Sequence, residues 1–491
     1  MSNLIKINHN TSQGKKSMFF LRKNSVIKRV SVKIIFAWLF IVITCSTIYA
    51  APKRKVVDTL ILGGTVVTMN NDMVVIEDGA VAIKNGVIVG VGEKSVIEKG
   101  FIACNIIRAN GKIVMPGLVN THTHAAMVLL RGYADDLPLL TWLNEYIWPA
   151  EAKVVNKENV RIATRLAIAE MIRSGTTTFN DMYFFEDEVA KAAKEAGIRA
   201  VVGEGLLDAS TPNSKNPDMG LAYTEELIKK YKGDRLITVA VAPHAPYTCS
   251  SDLLKKAQSL SKKYDVPLHI HLAETQYEVK SITEQYKMRP VEYLNSLGLL
   301  TDKTIAAHCI QVTDEEVELL AARKTGVAHN PESNMKLAEG VAPVPKMLTS
   351  KVNVGLGTDG AASNNDLNMF EETKTAALLH KVNTLTPTVL DARTALRMAT
   401  ILGANALGLQ GKIGSLEEGK EADIIIVDVD KPHLVPFYDV YSLLVYAADG
   451  ADVSIVMVAG KVLLRENKLL TINEKKAISD VKKIAEQMKQ K

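Results

Sequence analysis

Between residues 112 and 359 one pattern repeats eight times: a short apolar, β-branched run followed by a helical stretch. The runs are KIVMPGLVNTH, TTTFND (Thr176–Asp181), IRAVVGEG (Ile198–Gly205), LITVAVAPH (Leu236–His244), PLHIHLAE (Pro267–Glu274), TIAAHC (Thr304–Cys309), GVAHNP (Gly326–Pro331) and VNVGLGTD (Val352–Asp359). Stretches such as NVRIATRLAIAEMIRSG and DEEVELLAARKTG have helical periodicity and fit between them. Strands alternating with helices predict βα units around a parallel sheet. Eight of them predict an α/β fold, a closed (β/α)₈ TIM barrel, whose active site lies at the C-terminal ends of its strands.

The chain ends read differently. DTLILGGTVVTM, GAVAIKNGVIVGVGE, EADIIIVDVD and ADVSIVMVAGKVLL are strand-like segments broken by Gly or Asn-Gly turns, with AGK marking a hairpin. They predict a small β-sandwich built from both ends, residues 51–114 and 412–470, flanking a barrel at 115–411. A charged amphipathic helix is expected over 471–491. With 491 residues and 47% hydrophobic content, the chain can support a large domain and a smaller one.

The polar residues fall unevenly on this frame. Of 10 histidines in the sequence, His122, His124, His244, His269, His271, His308 and His329 sit at or near predicted strand ends, and Asp359 closes the eighth run. The THTH pair alone leaves open whether its histidines bind a metal, although alternate residues on a strand face one way. The collected strand ends favour a metal. A catalytic divalent ion wants three or four N/O ligands and an open position, and His122, His124, His271 and Asp359 can supply them. Zinc suits such donors; iron and manganese accept them too. His269 points the same way as His271 but one pleat deeper, where a buried hydrogen-bonding role is as well founded as a direct one.

The motifs MPGLVNTHTHAAMVLLRG, GTTTFNDMY, APHAPYTCS, HIHLAET, AAHC, NPESNMKLAEGVAPV and GLGTDGAASNNDLNMF, with KIGSLEEGKEADIIIVD beyond them, resemble the amidohydrolase superfamily. Within it they resemble the methylthioadenosine/S-adenosylhomocysteine deaminase group and its chlorohydrolase relatives, from about Asp58 to about Leu464. The resemblance implies one divalent metal, zinc before iron, held by His122, His124, His271 and Asp359; the fourth strand end, VAPHAP, lacks the lysine of two-metal members. It implies attack by metal-activated hydroxide on the amino-bearing carbon of a heterocycle. Glu274 would move the proton to the ring nitrogen, His308 would orient the water, and Asp359 would take the water proton. Glu151 would bind ribose hydroxyls and His244 would contact the substrate. Trp142 and Trp148 either cover a purine or pack in the core. Two departures stand out: Glu204 occupies a region where some relatives carry an arginine, and His329 has no evident role. The leading reading is deamination of an adenosine-type nucleoside. Action on guanine, a pterin or a chlorotriazine, and a catalytically silent metal-binding relative, are the alternatives. A homo-oligomer is expected by resemblance.

The net charge of +5 owes much to the first 33 residues, with Lys15, Lys16, Arg22, Lys23, Lys28, Arg29 and Lys33; the body is near neutral and has no basic stripe for nucleic acid. This basic start precedes IIFAWLFIVITCSTIYA, Ile34 to Ala50. It predicts a signal peptide over residues 1–50, with Met18 as a second candidate start and export to a periplasm, or else an uncleaved membrane anchor over 34–50. Cys45, Cys104, Cys249 and Cys309 show no disulfide spacing.

Overall fold

The computed structural model describes residues 54–489; the expected targeting or anchor segment, residues 1–50, lies outside them. The chain begins with strands β1 (Lys55–Leu62), β2 (Thr65–Val67), β3 (Val75–Ile76), β4 (Gly79–Lys84), β5 (Val87–Glu93), β6 (Phe101–Arg108) and β7 (Lys112–Pro116). The middle strands follow: β8 (Leu118–Thr123), β9 (Thr176–Tyr183), β10 (Arg199–Leu206), β11 (Ile237–Val239), β12 (Ala242–Pro243), β13 (Leu268–Leu272), β14 (Thr304–His308), β15 (Gly326–His329) and β16 (Asn353–Leu356). The chain closes with β17 (Ile424–Asp428), β18 (Val453–Val458), β19 (Lys461–Arg465), β20 (Lys468–Leu469) and the helix Glu474–Lys489.

The middle strands form two all-parallel half-sheets, ordered β11-β10-β9-β8, with β12 beside β10, and β13-β14-β15-β16. Near-continuous burial along β9, β10 and β13 fits parallel strands covered on both faces. The half-sheets meet on one side where Val241 N–H donates to Pro267 O (2.8 Å) and His269 N–H to Val241 O (2.9 Å). On the other side Asp359 N–H donates to His122 O (3.0 Å) and Thr121 Oγ1 to Leu356 O (2.8 Å). A cluster including Val119, Val201, Ile305 and Ala328 draws on both halves and is capped by Ala404, Leu407 and Ile413. Helix Ile401–Ala406 reaches this cluster closely: a Cβ on Gly355 would lie 2.8 Å from Gly403 Cα.

The intervening helices bury one face. In Lys157–Arg173, Val160, Ala163, Ala167 and Met171 recur at helical spacing. Side chains of Asn156, Asn216, Ser250 and Thr313 accept the N–H three residues on and so satisfy first-turn donors.

The first predicted run is not one strand. KIVMPGLVNTH divides at Gly117: β7 joins a sheet ordered β20-β19-β18-β17-β7-β2-β3, while β8 enters the parallel half-sheet. Any side chain at Gly117 would lie 2.1 Å from Thr177, so only glycine passes this crossing. The fourth run likewise divides, into β11 and β12. β7 pairs antiparallel with β17, and Ile61, Val81 and Ile88 of the β5-β4-β1-β6 sheet share a buried cluster with Val114, Ile424 and Met457. The AGK hairpin joins β18 to β19 with Ala459 and Gly460 both at positive φ.

Candidate active site

The strand ends of both half-sheets deliver the polar residues to one place. β8 carries His122, with His124 one residue past its end; β13 carries His269 and His271; β14 ends on His308; Asp359 follows β16 in the loop beyond it. Nε2 of His122 and Nε2 of His124 lie 3.4 and 3.3 Å from Asp359 Oδ1, and the Nε2 atoms of His124 and His271 are 3.4 Å apart. Donors placed tetrahedrally about zinc at its usual distance stand about 3.3–3.4 Å apart. The buried His122 Nε2 has no hydrogen-bond partner, which is costly unless something else occupies that lone pair. These residues therefore fit a divalent ion. A second grouping of His122, His308 and Asp359 overlaps the first, so the described residues form one centre.

The far sides of the rings are fixed. His124 Nδ1 donates to the Met182 carbonyl and His271 Nδ1 to that of His244 (2.7 Å), which leaves each Nε2 with its lone pair. His122 Nδ1 meets His269 Nε2 at 2.9 Å, so His269 buttresses the ring from behind. Ser333 Oγ (2.7 Å) and Ser363 Oγ (3.1 Å) donate to Asp359 Oδ2. Burial holds His122 down to about 4. On His124 burial also acts downward, but the hydrogen bond and charge of Asp359 outweigh it and lift the group to about 9. Burial would raise Asp359; the two histidines hold it well below the usual carboxylate range instead.

Strained backbone marks the same strand ends. Ala273 (φ 50°), His308 (71°), Cys309 (48°) and Asp359 (60°) all take the left-handed conformation, at a cost of about 1–3 kcal/mol each.

A cleft opens over the centre. Its polar lining includes His124, Glu151, His244, His271, Glu274 and Asp359, and its apolar walls include Met127, Leu143, Trp142, Trp148, Met182 and Phe184. Glu274 is buried, and His308 Nε2 stands 3.6 Å from its Oε1. Burial raises the Glu274 carboxyl, with His308 opposing and Asp359 adding. His308 is held by Nδ1 donating to Asn334 Oδ1 (2.8 Å). Glu151 accepts from Tyr183 Oη at 2.6 Å, and burial lifts it to about 7 against that bond and the pull of His124. His244 packs against Thr248 Oγ1 (2.9 Å) and burial lowers it to about 3.

Every site residue expected from the sequence thus lies at the centre or on the cleft. Both tryptophans line the cleft, and Trp142 also donates from Nε1 to Ala134 O (3.0 Å). Glu204, on β10, is not among the cleft-lining residues: it is buried, accepting from Asn213 Nδ2 (2.9 Å) and Glu186 N–H (3.1 Å). His329 is buried against His380, with their Nε2 atoms 3.1 Å apart. Tyr183, Asn334, Ser333 and Ser363 were not foreseen. Tyr183 lay two residues past the end assigned to the second run, and continued alternation from Phe179 and Asp181 would have carried the strand to it.

The similarities to known proteins agree with this geometry. A sequence model described as the Amidohydrolase family matches residues 113–463. A 5-methylthioadenosine/S-adenosylhomocysteine deaminase of Syntrophus aciditrophicus is 48% identical over 434 residues, 88% of this chain and 98% of that one. A 5'-deoxyadenosine deaminase of Methanosphaera stadtmanae is 49% identical over 79% of this chain and 90% of its own length. In structure, an adenosine deaminase from Xanthomonas campestris with bound zinc superposes with a TM-score of 0.88 at 42% identity, over 89% of this chain and all of that one.

These relatives overturn the expected export. The Syntrophus protein is matched over 98% of its length while 88% of this chain is used, so that relative has no room outside the match for a leader of the size read here at residues 1–50. Its counterpart from Syntrophobacter fumaroxidans gives the same shares. These relatives thus give no support to export through a signal peptide or an anchor; separately, among the described residues, which do not include 34–50, no helix is long and apolar enough to cross a membrane.

Proposed function

This chain belongs to the amidohydrolase family, and from that premise we propose that it is a metal-dependent hydrolytic deaminase of adenosine-type nucleosides of the methylthioadenosine/S-adenosylhomocysteine class, releasing ammonia and the inosyl product. The carrying observation is the spacing of functions along one cleft: a three-histidine, one-aspartate centre beside Glu274 and His308, with a buried Glu151 elsewhere on the lining.

His122, His124, His271 and Asp359 would hold one divalent ion, zinc or iron. When bound, the ion supplies a water ionised near neutral pH as the nucleophile. Glu274, whose carboxyl burial raises above its ordinary range, delivers a proton to the ring nitrogen beside the attacked carbon. His308, fixed by Asn334, stabilises the charge that builds up opposite. Asp359 takes the water proton, its carboxylate held in place by the hydrogen bonds that Ser333 and Ser363 donate to Oδ2. Glu151, a buried acceptor, takes the ribose hydroxyls, which favours a nucleoside over a bare ring such as guanine or a triazine. His244 borders the ring from the fourth strand end.

The same reading takes the two half-sheets as a single closed (β/α)₈ barrel, residues 115–411, and the paired ends, 51–114 and 412–470, as a β-sandwich. It includes self-association, which light scattering of the purified protein tests. The activity is tested by ammonia release from 5'-methylthioadenosine by zinc-loaded protein. Release that is absent with this nucleoside but present with guanine or a chlorotriazine overturns it.

A further inference from the structure

We infer that the cleft is built for nucleosides whose 5'-substituent is small and uncharged, and that it discriminates against one bearing an amino-acid tail. The inference rests on the nucleoside reading above and ranks substrates within it. Its ground is the charge inventory of the lining. Glu151, Glu274 and Asp359 contribute carboxyls, and no Lys or Arg is among the described residues that line the cleft. The cation beside the lining is already engaged: Lys336, one residue before the lining Leu337, is held by Asp135 and Asn365.

The surface around Glu151 is apolar as well. Ile147 and Trp148 precede it by one helical turn and therefore share its face, and both line the cleft. Leu139, Leu143, Met127 and Met182 extend that surface. A thioether methyl or a bare methyl carbon placed there loses water against hydrocarbon and sulfur, which is favourable. A homocysteine tail brings a carboxylate and an ammonium together. The carboxylate would lose hydration with no cation to receive it and with acidic side chains in the same cleft, and burying an unpaired charge is strongly unfavourable. The tail must then stay in water at the mouth or exclude the substrate.

The test uses three nucleosides with the same ring and the same 2' and 3' hydroxyls: 5'-deoxyadenosine, 5'-methylthioadenosine and S-adenosylhomocysteine. Ammonia release by the zinc-loaded protein gives kcat/KM for each. The expected result is that the first two agree within about tenfold and that S-adenosylhomocysteine is at least tenfold below the better of them, with the loss mostly in KM. A smaller gap, or a preference for S-adenosylhomocysteine, overturns the inference and leaves the nucleoside assignment standing. Turnover of none of the three removes both. Trp148→Lys, which sets a cation on the apolar face, narrows the ratio of kcat/KM between 5'-deoxyadenosine and S-adenosylhomocysteine; an unchanged ratio counts against the charge argument.

Discussion

A carboxyl that must change protonation during turnover behaves differently from one that only accepts hydrogen bonds, and Glu274 and Glu151 separate on this basis. Glu274→Gln keeps the shape but cannot shuttle a proton, so kcat should fall by about 10²–10⁴-fold with metal content unchanged, as read by steady-state kinetics beside elemental analysis. Glu151, lifted to about 7 by burial, is protonated below that value and loses its acceptor capacity. KM for a nucleoside should therefore rise as pH falls from 8 to 6, by up to about tenfold per unit once below the pKa. A 2',3'-dideoxy analogue should show a flat profile; equal slopes for both substrates would remove Glu151 from diol binding. The sequence exposed the ligand candidates because histidine is scarce in this chain and its placement at strand ends is conspicuous. It hid the supports of those residues. Asn334, Ser333 and Ser363 hold His308 and Asp359 through hydrogen bonds, yet sit in loops where Ser and Asn are ordinary turn residues.

Among elements, the joint between the parallel strands and the chain-end sheet includes a buried ion pair. Arg199, at the start of β10, donates from Nε (2.9 Å) and Nη2 (3.1 Å) to Asp423, just before β17, and both side chains are 2% exposed. Asp423→Ala leaves the guanidinium buried without its partner and should cost about 3–5 kcal/mol in chemical denaturation. The double substitution Arg199→Met with Asp423→Leu should cost clearly less. The periodic pattern made the strand and helix succession readable, since apolar runs and amphipathic stretches differ in period. It could not divide KIVMPGLVNTH at Gly117 or LITVAVAPH into β11 and β12. Apolar character is continuous through both breaks, and each break comes from contacts with distant segments: Thr177 at the first, Pro267 at the second.

For the molecule as a whole, two terms set stability. An ion that binds only the folded centre stabilises it by about 4 kcal/mol when free ion is a thousand times the dissociation constant. Chelation should lower Tm in a thermal melt, and His122→Ala should abolish that difference. The second term is pH. Burial raises Glu204 to about 7 and Glu278 to about 8. Both carboxyls hold protons more tightly folded than unfolded, where glutamate titrates near about 4.3. Their contribution is thus complete below about pH 4 and is lost as pH rises through 7 to 8. Tm should decline from pH 6 to pH 8.5, and Glu204→Gln should flatten the decline. A further consequence follows from the pairing of β7 with β17, where Lys112 Nζ reaches Asp428 Oδ2 at 2.8 Å across 316 residues of chain. During synthesis the edge of β7 is made early and must wait, unpaired, for nearly the whole polypeptide to leave the ribosome. The order of translation thus makes the last strands the step that seals the molecule. A chain stopped short of residue 424 would present an open β edge to its neighbours, which is an aggregation hazard.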